Sequence, residues 1–285
     1  MSPSYARRSG ESLHYYIRVG STSRQASREE LVRLTQASGA VASDLRPVLG
    51  ATLDDLEPDL LAKRFESLRS IHYPELPASD RRRLLVDAEI LHPETGGPTI
   101  AGLLCYGSNP QRRLAHALVS CVAYPGNQPE RELVDKTEAA GRIDQQVANA
   151  VAFITRNMRQ SSHIDGIERV ESPRPSPETF REVVANAVAH RHYGIAGPVQ
   201  LRMYTDRVEI VSPGGLPNGV TPAAMRLGVS VRRNQFLVQH LAQLGLVDAI
   251  GRGVALMFEE AAELGLPSPT IDPEDTAVRV IVPLG

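Results

Sequence analysis

Cysteine occurs at only two of 285 positions, Cys105 and Cys121, and lysine at only two, Lys63 and Lys136. Neither cysteine has a second Cys or His at metal-ligand spacing, so the expectation is two core thiols in a reducing compartment. With lysine so scarce, no Gly-x-x-x-x-Gly-Lys-Ser/Thr loop exists, which rules out a P-loop motor. No apolar run approaches the length of a membrane span, and Met1 to Glu11 has the wrong order of charge and hydrophobicity for a signal peptide. The expected location is therefore cytoplasmic, with no membrane partner. Charge of one sign is not in excess either: the formal net is −2, so any nucleic-acid binding must be local rather than driven by an overall field. What is present, 42% hydrophobic residues, suffices to bury a real core in one large domain or two ordinary ones.

Along the chain, the first dozen residues are polar and contain Pro, Gly and Ser, and are expected to be mobile. Tyr15, Ile17 and Val19 then alternate with polar neighbours as in a half-buried strand. Ser27-Arg-Glu-Glu30 has capping-box spacing, with Leu31 and Leu34 opening a helix face. Residues 1–40 thus read as an arm too small to fold alone. A helical connector over 41–80 follows, with one helix expected from Thr52 through Leu60 and Phe65 toward Leu68. Residues 81–175 read as an α/β region: Thr99–Tyr106 and Leu118–Tyr124 as buried strands holding the two cysteines, and Ile143–Met158 as a helix whose apolar residues fall at helical spacing. Pro173, Pro175 and Pro177 deliver the chain to a last region, 176–285, with Ser176 as helix cap and Pro177 as first helical residue. There Val199–Tyr204 and Val208–Val211 read as a hairpin, Ser212-Pro-Gly-Gly-Leu-Pro217 as a turn, Phe236 to Gly245 and Val254 to Leu264 as helices, and Thr276–Val282 as a closing strand. The expected fold class is α/β, with mixed sheets and packed helices.

The most informative stretch is Glu182-Val-Val-Ala-Asn186-Ala-Val-Ala-His190. Steps of four leave side chains on nearly one helix face, so Glu182, Asn186 and His190 form a polar stripe. Every residue between them is small and apolar, so nearly the whole circumference suits burial. A buried carboxylate and amide need partners or a ligand.

A polar helix with Glu and Asn, a strand, a Pro-Gly-Gly turn, Gly-x-Gly before a helix and a final strand, in that order, resemble the GHKL fold of gyrase, MutL and sensor histidine kinases. A closer resemblance is to the C-terminal domain of bacterial proteins labelled RecG-related helicases or transcriptional regulators. It is carried by Asn186-Ala-Val-Ala-His-Arg191, Pro-Gly-Gly-Leu-Pro at 213–217, Arg233-Asn234 and Gly-Arg-Gly at 251–253, and covers 81–282. That family's N-terminal Alba-like, Schlafen-type DNA-binding domain ends in a segment similar to Tyr16–Thr22 and the Arg-Glu-Glu helix after it. Residues 1–40 therefore look like its tail, with Arg18, Arg24 and Arg28 as candidate contacts to DNA; arginines beside acids are more often a solvated surface.

The resemblance implies an ATP-binding regulatory module of a DNA-associated transcriptional regulator, with ATP and magnesium as ligands, slow hydrolysis as its enzymatic form, and a homo-oligomeric assembly. Carried over by position, Glu182 is the candidate base and Asn186 the metal-facing amide. Gly214, Gly215, Gly251 and Gly253 form ligand-facing turns, and Arg252 adds a cationic contact. His190, which has no fixed role in that pattern, completes the stripe. Ser212 stands where the superfamily has an adenine-binding aspartate, a neutral and shorter acceptor. A second reading stays open from the residues alone: Glu182 and Asn186 satisfied within the fold by Arg181, Arg191 or turn amides, the glycines serving turns, and the domain acting as a non-catalytic dimerisation or partner-binding scaffold. His72, His92, His116 and His240 are isolated, and Ser120, Ser212 and Ser230 lack a nucleophile elbow.

Overall fold

A computed structural model of the chain describes residues 4–9, 12–19, 21–27, 43–69, 71–160, 173–217, 220–229, 231–248 and 251–285. The chain divides into two compact units, Met1–Val41 and Ala42–Gly285.

In the first unit, strands β1 (Ser4–Ser9), β2 (Ser12–Val19) and β3 (Thr22–Gln25) form an antiparallel meander. The alternation at Tyr15, Ile17 and Val19 falls on β2 as expected. The first dozen residues are a correction: Ser4–Ser9 pairs along its whole length with β2, Tyr5 opposite Tyr16, because backbone pairing does not require the apolar pattern that the sequence lacks there. The helix expected beyond Ser27, with Arg28, Leu31 and Leu34, lies outside the described residues.

The second unit begins with a 3-10 turn, Ser43–Leu45, and reaches another at Leu53–Asp55. The single helix expected from Thr52 is split. The Thr52 amide donates to Asp55 Oδ2 at 3.0 Å, closing a short turn, and the true helix α1 starts afresh at Pro58 and runs to Arg69, with proline at the position where its missing N–H costs nothing. After α2 (Ala78–Asp87) comes a second correction: Thr99–Tyr106 is not a strand. Thr99 caps helix α3 (Ile100–Tyr106), its Oγ1 accepting from the Gly102 amide at 2.9 Å, and all seven helical residues are buried. A segment apolar on every side carries no period that separates helix from strand. Gly102 marks the close approach, since a Cβ there would stand 2.2 Å from the Ile90 carbonyl oxygen.

Strands β4 (Val119–Ala123) and β5 (Asp135–Ala139) are followed by helices α4 (Ile143–Gln160) and α5 (Pro177–His190). Then come β6 (Val199–Met203), β7 (Arg207–Pro213), α6 (Pro222–Arg226), α7 (Gln235–Gln243), α8 (Gly253–Glu263), β8 (Thr270–Pro273) and β9 (Ala277–Pro283). The six strands form one mixed sheet in the order β5-β4-β6-β7-β9-β8, antiparallel except where β4 runs parallel to β6. Strands from before and after residue 175 are therefore hydrogen-bonded neighbours. Val119, Cys121 and Ala123, with Val199, Leu201 and Met203, turn inward on alternate positions against the helices, giving a two-layer α/β sandwich.

Helix α4 buries Ile143, Val147, Ala150, Ile154 and Met158 at helical spacing. Helix α5 starts as expected, Ser176 Oγ accepting from the Thr179 amide at 3.3 Å with Pro177 first in the helix. Its start is also held by α8: Glu260 Oε1 accepts from the Ser176 amide at 2.9 Å and Oε2 from the Thr179 hydroxyl. A carboxylate at that end is stabilised by the exposed amides and the helix dipole.

Candidate functional site

Helix α5, the turn after β7, and the start of α8 enclose a cavity of about 540 Å³, a size that suits a small organic ligand. Its wall includes Glu182, Asn186, His190, Ser212, Gly214, Gly215, Gly251 and Gly253. The polar stripe of the helix and both glycine turns thus meet across one cleft. Arg252 does not line it: its exposed guanidinium turns to Asp248 Oδ2 at 3.3 Å. Of the three arginines singled out in the first unit, Arg24 is exposed on β3, with Nη1 donating to the Gln25 carbonyl at 3.3 Å; the side chains of Arg18 and Arg28 lie outside the description.

Glu182 is half-buried, and both its oxygens have protein donors. Asn186 Nδ2 donates to Oε1 and the Asp248 amide to Oε2, each at 3.0 Å. Burial raises its carboxyl above the usual carboxylate range and the charge of Asp248 adds to this, while the two hydrogen bonds oppose it. Glu182 also lies directly against Gly253, where a Cβ would stand 2.0 Å from Oε1. The expected turn-amide partner is therefore present, but Arg191 is not one. That arginine is buried and donates instead to the carbonyls of His116, Ile195 and Gly197.

With Nδ2 spent on Glu182, Asn186 Oδ1 meets no donor among the described residues. His190 is neutral at pH 7, since burial and the nearby charges of Arg233 and Arg232 push its imidazole down to about 4. Ser212 Oγ donates to the Ala187 carbonyl at 2.7 Å, so its lone pairs are what it can still offer a ligand. No group of three or more His, Cys, Asp or Glu side chains able to hold a metal occurs among the described residues. A hard cation here would rest on Asn186 Oδ1 and take its remaining oxygens from water and ligand.

The glycine turns have structural causes too. Gly214 sits at φ +102°, and a Cβ there would meet His192 Cβ at 2.6 Å and Arg233 Nη1 at 2.7 Å. Arg233 is buried beneath this turn, donating to His190 O at 2.9 Å and to Gly215 O. Its neighbour Asn234, fully buried, donates to the carbonyls of Ala189 and Arg191 at 2.8 Å each and accepts from Ser43 Oγ at 2.5 Å. Arg233 and Asn234 thereby satisfy carbonyls where α5 ends and fix the helix beside the cleft.

Asp248 and the apolar wall of Met225, Val229, Val238, Met257 and Val280 were not singled out by sequence. Asp248 acts through its amide, which any residue type supplies, and an apolar wall gives the same signal as a core stripe. The two thiols are free and buried, in α3 and β4, and burial raises both, Cys121 to about 12.

Residues 197–282 match the family model HATPase_c_4, described as "Putative ATP-dependent DNA helicase recG C-terminal". This stretch is therefore ATPase-like and similar to the RecG-related C-terminal region. It contains Ser212 and the glycine turns and begins after α5, so the Glu182 stripe is outside it. No curated protein matches the chain. Among solved structures, the DIP2311 protein from Corynebacterium diphtheriae is similar in fold, with a TM-score of 0.58 and 20% identity over 100% of this chain and 59% of that one. This chain thus spans 59% of that protein's length. Among the described residues no helix is long and apolar enough to cross a membrane.

Proposed function

We propose that the second unit is a divergent GHKL-type module that binds an adenine nucleotide in the cleft between α5, the β7 turn and α8. In this reading it serves as the regulatory part of a DNA-associated protein whose DNA contacts come from residues 1–40. The observation that carries the reading is the convergence of Glu182, Asn186, Ser212 and the glycines on one cavity wall, with Ser212 and the glycines lying within the ATPase-like stretch.

Each side chain has a role that suits its surroundings. Ser212 accepts the exocyclic amine of the base, its proton being directed at Ala187 O. The apolar wall takes the ring faces. Asn186 Oδ1 is the oxygen left to face a hard cation, and magnesium, when bound, would neutralise phosphate charge. Should hydrolysis occur, Glu182 is the group placed to receive a water proton, and its raised affinity for protons favours that task.

A second reading, a scaffold without ligand, is favoured by one observation: both Glu182 oxygens already accept hydrogen bonds from the chain itself. Isothermal titration with ATP, ADP, AMP and adenosine, with and without magnesium, separates the two. One-site binding by an adenine compound supports the module, and in Asn186→Ala the affinity for ATP should cease to respond to magnesium. Absence of heat with all four at millimolar concentration supports the scaffold. Loss of turnover with retained binding in Glu182→Gln identifies the base.

A further inference from the structure

Terminal phosphates would need donors at the end of the cleft formed by Gly251 and Gly253, where the amides of Gly251 and Asp248 are already engaged. The Gly251 amide donates to Asp248 O at 3.2 Å, and the Asp248 amide donates to Glu182 Oε2 at 3.0 Å. At the β7 turn the Gly214 amide donates to Thr276 O at 2.7 Å. The start of α8 would ordinarily attract an anion through its unpaired amides and dipole. Here the anion is supplied from within: the carboxyl group of Glu182 fills the space beside Gly253, where a built Cβ would lie 2.0 Å from Oε1 and 2.1 Å from Cδ.

Cationic compensation is scant at the Gly253 end. Both lysines of the chain lie elsewhere, on α1 and β5. Arg233 lines the cleft beneath the Gly214 turn, where its guanidinium donates to the carbonyls of His190 and Gly215, and Arg252, which does not line the cavity, pairs with Asp248. Arg232 is exposed and also lines the cleft, where its charge bears on His190, whereas the charges bearing on Glu182 are those of Asp248 and Arg181. Ser230, Ala249 and Ile250, which adjoin these residues in the sequence, carry no positive charge.

We infer that the resting cleft takes an adenine nucleoside or its monophosphate in preference to the triphosphate, because Glu182 occupies from within the chain the position that a terminal phosphate would need. This rests on the adenine-nucleotide reading above. It makes Glu182 a selectivity element as well as the candidate base: a phosphate tail enters only when that carboxylate is displaced or neutralised.

The test is titration of the full chain with adenosine, AMP and ATP in EDTA at low ionic strength, for the wild type, Glu182→Gln and Glu182→Ala. In the wild type adenosine and AMP should bind about tenfold or more tightly than ATP, the size of effect expected from one unscreened like-charge contact. Removing the charge in Glu182→Gln should raise ATP affinity by about tenfold while adenosine changes by less than about threefold. Glu182→Ala, which also clears the space, should raise it at least as far, and an unchanged adenosine affinity shows that the variant cleft is intact. ATP binding about tenfold tighter than adenosine in the wild type would overturn the inference and leave the nucleotide reading standing. Failure of all three ligands to bind the wild type would overturn the nucleotide reading and, with it, this inference.

Discussion

Gly253 is glycine because the carboxyl group of Glu182 stands where its side chain would be: a Cβ built there meets Oε1 at 2.0 Å, Cδ at 2.1 Å and Cγ at 2.2 Å. The contact joins the middle of α5 to the first residue of α8. At the other end of the same pair of helices, Glu260 of α8 receives the Ser176 amide at the start of α5. Each helix therefore lends the other a carboxylate, and the cleft lies beside this exchange.

Gly253→Ala tests the contact. In an unobstructed helix the change would stabilise by roughly 0.5–1 kcal/mol. Against Glu182 it should instead destabilise by about 1–3 kcal/mol through overpacking, read as a lower urea midpoint at unchanged slope. A midpoint at or above the wild type would show that Glu182 leaves this place without cost.

Asn234→Ala should be among the most damaging single changes outside the apolar core. It removes two hydrogen bonds to the end of α5 and leaves the Ala189 and Arg191 carbonyls without this donor. The expected loss is about 2–4 kcal/mol, again from urea unfolding, whereas a loss below about 0.5 kcal/mol, as at an ordinary surface site, would mean that water replaces the amide.

Asp44 predicts a particular pH dependence. It is fully buried, with Oδ2 accepting from the Leu237 amide at 3.3 Å and Oδ1 without a partner among the described residues, and burial raises its carboxyl from 3.8 to about 6. Between those values the folded chain holds a proton that the unfolded chain has released, so this group's contribution is full below pH 3.8 and is lost as pH rises through about 6. Asp44→Asn should erase that slope and be more stable than the wild type at pH 8, by on the order of 3 kcal/mol. Parallel stability profiles for the two proteins from pH 4 to 8 would contradict it.

His190 works in the opposite direction. With its imidazole pushed down from 6.5 to about 4, the unfolded chain binds the proton first. Stability from this group is complete above pH 6.5 and falls as pH drops through about 4. Its ring resonances in NMR should show the neutral form persisting at pH 5.5, and a midpoint near 6.5 would mean that the ring is solvated.

The two thiols should be silent toward a disulfide reagent at pH 8 in the native protein, since both are buried and both raised, and the thiolate is the reactive form. Both should titrate at once in guanidinium. Rapid reaction of either in the native state would place it at the surface.

Much of this was legible in the sequence where a pattern had a single physical cause. Ser176-Pro177, the stripe at 182, 186 and 190, the hairpin and the glycines each mark positions that few residue types can fill. Thr99–Tyr106 was misread because burial on all sides erases the period. Asp248 was invisible because its contribution is a backbone amide. Asn234 was visible as a motif and silent about its task, since an asparagine that closes a helix end and one that greets a ligand are the same letter.

The hydrogen bonds of the Arg191, Arg233 and Asn234 side chains go to carbonyl and hydroxyl oxygens of their own chain. They act as rivets, not reagents. A distant homologue that keeps these letters has preserved the architecture around the hollow, and its choice of guest is written instead in the few groups that look inward.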